Sequence, residues 1–198
     1  MHDRRYRAPL ARETPAVPTI WTFVAADTAG FGALFLVFMI ERAAQRHLFE
    51  QSAQLLDVRI GLANTLILIS SSWLVALAVL AAEEGRGRSA RRLLTGGIAV
   101  GAAFGALKLW EYTEKFSHDI TPFTNDFFTY YFVLTGVHFV HLIGGLLAMS
   151  FIAPTLTRRP VVDERTMYWL RSAGIYWHMV DLLWVFLFPL LYLQKGFT

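Results

Sequence analysis

Residues Ile60–Ala82 read IGLANTLILISSSWLVALAVLAA, 23 residues without a single charge. A helix in a soluble domain normally keeps a polar face toward water. Here the polar positions are only Asn64, Thr65 and the serines Ser70, Ser71 and Ser72. About 20 apolar residues suffice to cross a bilayer as a helix, so this stretch reads as a membrane span. Four others resemble it: 18–40, 93–112, 127–153 and 172–193. Together with 60–82 they make up more than half of the 198 residues. The segments between them are short and hold most of the charges. The expected architecture is all-α: one integral membrane bundle of five helices over 18–198, preceded by a polar basic tail at 1–17. The first span is not expected to be a cleaved signal. It exceeds a typical apolar core, and Ile40-Glu41-Arg42 is no small-residue cleavage site.

Composition agrees. Apolar residues make up 55% of the chain and charged residues only 17%, with a mean hydropathy of +0.43. The pI of 9.4 invites a nucleic-acid reading, but the net charge is only +3 and the basic residues sit in the short connections. The absence of cysteine excludes disulfides, thiolate metal sites, a cysteine nucleophile and covalently attached haem. The chain has no HExxH, no phosphate-cradling GxxxxGK and no GxGxxG. Lys and Arg partition unevenly. Twelve lie in the N-terminal tail, the 83–92 turn and the segment between spans four and five, against five on the opposite side. The positive-inside rule then predicts a cytoplasmic N-terminus and an outside C-terminus. Trp21, Trp110, Trp169 and Tyr192 fall near span ends, where interfacial aromatic anchors belong. Gly97, Gly101 and Gly105 form a small-residue stripe, expected to serve helix packing within the chain.

Ionisable groups at membrane depth are costly unless paired or hydrated. Asp27, His138, His141, His178 and Asp181 all fall near mid-span, on three helices. His138 and His141 share a helix face, as do His178 and Asp181, because each pair is three residues apart. The set fits a polar network joining spans one, four and five. It also fits a proton relay, a metal site or haem ligation. Glu111, three residues after Lys108, fits an interfacial Lys–Glu pair with a snorkelling lysine, or a carboxylate facing a partner subunit. The three serines can bond back to their own helix and need no catalytic role.

Two long motifs carry a resemblance. Tyr130–Gly145 reads YYFVLTGVHFVHLIGG, and Tyr176–Leu193 reads YWHMVDLLWVFLFPLLYL. Together with KLWEY at 108–112 and NTLILISSS at 64–72, they resemble subunit III of the haem–copper oxidases from Trp21 onward. Asp27 stands where oxidase subunit III often has Glu, and the FEQSAQLL loop at 49–56 and the LFPLLYL ending at 187–193 are most similar to the NorE branch, associated with nitric oxide reductase and denitrification. Short five-helix subunit III of cytochrome c or quinol oxidases is the main competitor. The resemblance implies a non-redox, multi-pass subunit of the bacterial inner membrane with no cofactor of its own. Haem and copper or iron would sit in a catalytic partner, whose stability and proton supply the chain would support, with phospholipids around it. The residues alone also fit a small transporter or proton channel, or a b-type cytochrome subunit.

Overall fold

The computed structural model describes residues 18–157 and 162–194. The tail at 1–17, including Arg4, Arg5, Arg7 and Arg12, lies outside the described residues, as do Arg158, Arg159 and Lys195. The elements are α1 (Pro18–Ala44), α2 (Arg46–Ala53), α3 (Val58–Glu83), α4 (Gly87–Ser117), α5 (Asp126–Ile152) and α6 (Glu164–Tyr192). A 3-10 turn, Ala153–Thr157, follows α5. All but α2 are long and apolar enough to cross a membrane. At 1.5 Å per residue the 26 residues of α3 reach about 39 Å. The helices overrun the apolar spans by as much as eight residues, at the start of α6. Backbone hydrogen bonding continues into the polar flanks, where hydropathy no longer marks it.

The ends are set by recognisable local chemistry. Asp57 caps α3 by accepting from the Arg59 amide at 2.8 Å, and Asn125 caps α5 by accepting from Phe128 at 3.0 Å. Helix α3 stops at Gly85, whose φ of +74° is costly for other residues. The amides of Gly85 and Arg86 close back on Ala82 and Ala81, the paired bonds of a Schellman ending. Asp119 ends α4 in the same way, with φ at +57°. Pro189 falls in the last turn of α6 and has no amide to donate to the Val185 carbonyl.

Helices α3, α4, α5 and α6 form the bundle, with α3 and α4 in closest contact. The glycines explain that closeness. A Cβ on Gly97 would stand 3.0 Å from Val75 and 3.3 Å from the Ser71 carbonyl. One on Gly101 would stand 2.7 Å from the Trp177 ring. The small-residue stripe therefore packs within the subunit. Helix α1 leans on α5 and α6 from outside. Only 11% of its apolar window is buried, against 44% in α3 and α6.

One end of the bundle gathers α2, the α4–α5 connection and the last turn of α6. There Phe38, Phe49, Phe127 and Phe128 bury completely against one another and Tyr130. Gln45 donates to Asp126 at 2.7 Å and Asn125 to Ser52 at 3.0 Å, fastening α2 to α5. On α2, outside the spans, the Arg46 guanidinium hydrogen-bonded to Glu50 holds that carboxyl below its usual range. At the other end Arg171 pairs with Glu83 at 2.9 Å, tying the start of α6 to the end of α3.

Candidate functional site

The densest polar site lies inside the bundle toward the α2 end. Lys108 on α4 is 1% exposed. Its ammonium donates three hydrogen bonds: to Glu111 at 3.2 Å, Tyr131 at 2.9 Å and Tyr192 at 2.8 Å. Both phenols then donate to Glu111 Oε1, Tyr131 at 2.8 Å and Tyr192 at 2.6 Å. Every ammonium proton has an acceptor, and each phenol accepts once and donates once. The Tyr131 ring centroid also stands 4.6 Å from the ammonium and the Trp184 ring 5.2 Å, within cation–π range. A buried ion pair holds only where such extra bonds offset desolvation. One joint thereby ties α4, α5 and α6.

This placement changes three expectations. Glu111 faces the interior rather than a partner, because its carboxylate is the acceptor for two phenols and an amine. Lys108 does not snorkel, because acceptors surround it within the protein. Tyr192 is no interfacial anchor. Its hydroxyl is drawn inward to the Lys108–Glu111 pair, and it is 1% exposed. Trp21, Trp110 and Trp169 are more than half exposed, as anchors should be.

The five mid-span residues fall into three separate places rather than one network. His141 on α5 approaches Asp27 on α1, Nε2 to carboxylate at 3.2 Å, without hydrogen-bond alignment. Its Nδ1 donates to the Val137 carbonyl at 2.8 Å. A carbonyl only accepts, so Nδ1 carries a proton. Phe31 and Tyr176 flank the ring. His178 on α6 is bonded through Nδ1 to Ser72 on α3 at 2.5 Å, with Asp181 at 4.0 Å, beyond hydrogen-bond reach. His138 is enclosed by Phe104 and Trp184, and neither ring nitrogen has a hydrogen-bond partner among the described residues.

Of the serines, only Ser70 bonds back to its own helix. Ser71 donates across to the Gly97 carbonyl at 2.7 Å, and Ser72 reaches His178. The tyrosines of the buried joint and the role of Ser72 were missed in the sequence. The Lys108–Glu111 spacing was the one visible signal, and it names no partner on another helix. Among the described residues no group of three or more His, Asp or Glu could hold a metal ion.

Five membrane-length helices packed round a buried Lys108–Glu111 pair define a polytopic membrane protein. The chain belongs to the cytochrome c oxidase subunit III family, whose model matches residues 26–195. It is 28% identical to heme-copper oxidase subunit I+III of Aeropyrum pernix, over 88% of this chain and 22% of that protein. It is 29% identical to cytochrome c oxidase subunit 3 of Corynebacterium diphtheriae, over 86% of this chain and 83% of that one. It is 22% identical to a probable quinol oxidase subunit 3 of Staphylococcus aureus, over 87% of this chain and 86% of that one. Subunit III of these oxidases works with a haem–copper catalytic subunit and lacks redox cofactors of its own.

Proposed function

We propose that the chain packs against the catalytic subunit of a haem–copper respiratory complex and supports its stability and proton supply. The observation carrying this reading is the family match over residues 26–195 of a chain whose densest buried polar site is a closed joint. Lys108, Glu111, Tyr131 and Tyr192 satisfy one another, which suits a rigid support. The Aeropyrum relative, whose name joins subunits I and III, supports contact with a subunit I. Gentle-detergent purification from native membranes tests it. A haem-bearing subunit should co-purify. A haem-free chain that conducts ions alone in liposomes would instead establish the transporter reading.

Within the family, the 49–56 loop and the 187–193 ending favour the NorE branch and a partner that reduces NO. The names of the oxidase relatives favour a partner that reduces O2. Deleting the chain and measuring O2 and NO consumption by the membranes separates the two. We place the N-terminal tail in the cytoplasm of a bacterial inner membrane, on the twelve-to-five Lys/Arg division, and read 18–198 as one unit.

A further inference from the structure

We propose that the haem-bearing catalytic subunit docks on the face of α6 around His178, through a transmembrane helix that offers a hydrogen-bond acceptor to His178 Nε2. The inference rests on the subunit reading above and adds the surface and its chemistry.

His178 is the fifteenth of the 29 residues of α6, counting from Glu164 to Tyr192, so it lies at mid-span. Yet its side chain is 45% exposed. Ionisable residues inside a membrane almost always face the bundle or a water-filled cavity. An imidazole half open to hydrocarbon needs a polar neighbour from outside the chain. Ser72 fixes what that neighbour must be. Its hydroxyl has no other hydrogen-bond partner among the described residues, so donating to Nδ1 is the arrangement that uses its proton. A neutral ring accepting at Nδ1 carries its proton on Nε2, and a charged ring carries one there as well. In both states Nε2 is a donor, and it has no partner among the described residues. Asp181 lies 4.0 Å away on the Nδ1 side and leaves Nε2 open.

The surroundings suit a helix. Along the same face Leu182, Val185 and Phe186 are exposed and apolar. Beside them α1 and α6 flank an open groove of 190 Å³ lined by Thr28, Gly32, Phe35, Met179 and Phe186 among others. The whole is one polar point in an apolar surface, with room for a side chain one to two turns further along. Lipid tails offer no acceptor, and headgroups lie at the interface, far from mid-span. A second copy related by a two-fold axis would bring donor against donor. A helix of a different subunit bearing a carbonyl, hydroxyl or carboxylate acceptor satisfies the site.

The test uses the complex in its native membrane. A photoreactive p-benzoylphenylalanine replaces Leu182 or Phe186 on the α6 face, or Leu109 on the exposed side of α4. Illumination should join the chain to the haem-bearing subunit from the first two positions and not from the third. Adducts from Leu109 alone would overturn the surface while leaving the subunit reading intact. Adducts between two copies of this chain from Leu182 or Phe186 would overturn it in favour of self-association. No adduct from any position, with no haem-bearing protein co-purifying, would remove the subunit reading and the proposal with it. His178→Gln keeps a donor near Nε2, whereas His178→Phe keeps only the bulk. Recovery of the haem-bearing subunit should fall roughly tenfold for Phe, the size of one lost buried hydrogen bond, and stay within about twofold of wild type for Gln. Equal recovery from both variants, at wild-type amounts of the chain in the membrane, would refute the role of Nε2.

Discussion

Replacing Lys108 by Met tests the buried joint most directly. Methionine keeps most of the volume and removes the ammonium. Three hydrogen bonds disappear: to Glu111, Tyr131 and Tyr192. Polar contacts in membrane bundles average about 0.6 kcal/mol each, because helices separated in the bilayer find other partners. Three such bonds give a lower bound of about 2 kcal/mol. In soluble proteins, breaking a buried pair by removing one partner costs about 3–5 kcal/mol, because a charge is stranded. Here Glu111 would keep two phenol donors, at 2.8 and 2.6 Å, which moderates that penalty. The expected loss is therefore about 2–4 kcal/mol in the reversible unfolding of the detergent-solubilised chain. Glu111→Leu should cost as much or more, since it leaves the ammonium with phenol oxygens only. The double variant Lys108→Met, Glu111→Leu removes both charges and should fall well short of the sum. A loss under about 1 kcal/mol for Lys108→Met, or additivity in the double variant, would refute the idea that this joint holds α4, α5 and α6 together.

Further outcomes follow from other contacts. Tyr192→Phe removes one acceptor from Lys108 and one donor to Glu111, and should lower stability by about 1–2 kcal/mol in the same unfolding assay. Gly101→Ala sets a methyl 2.7 Å from the fully buried Trp177 ring, and should cost about 1–3 kcal/mol, with altered indole fluorescence. A reporter active only outside the cytoplasm should be active when fused after Thr198 and silent in the 86–92 turn, and the reverse pattern would invert the assigned orientation.

The helices were legible because hydropathy over 20 residues is a strong, local signal. Their bounds were legible only to within several residues, since capping by Asp57 and Asn125 and the left-handed stop at Gly85 act beyond the apolar stretches. Mid-span depth was also legible, and it picked out Asp27, His138, His141, His178 and Asp181. What depth could not give was direction around each helix axis. His141 turns to α1, His178 to α3, and His138 to an aromatic enclosure. The i,i+3 spacing of His138 and His141 places both on one broad side, yet 60° of rotation between them suffices for different neighbours, since three residues turn a helix by about 300°. Across helices, partner choice depends on register, which no single span encodes. Tyr131 and Tyr192 are 23 and 84 residues from Lys108. Their shared level follows only once the lengths of the α4–α5 and α5–α6 connections set how far each helix starts from the membrane edge.

That register has a consequence for the division of labour in the molecule. The joint around Lys108 lies toward one end of the bundle, near the last turn of α6, whereas His178 lies one half-helix away on the same element. A stiff lower anchor on α6 fixes the rotation of the helix about its axis, because Tyr192 can reach Glu111 at only one angular setting. Trp184 extends the constraint upward by donating to Thr65 on α3 at 3.1 Å. With both contacts made, the side of α6 that carries His178, Leu182 and Val185 must point outward. The buried ion pair thus orients an exposed imidazole more than ten residues away. Glu111→Leu, which removes the acceptor of Tyr192, should then weaken recovery of the haem-bearing subunit even in preparations where the variant chain remains folded, and do so more than Lys108→Met, which leaves the Tyr192–Glu111 bond in place. Unchanged recovery with Glu111→Leu would mean that Ser72 alone sets the direction of His178.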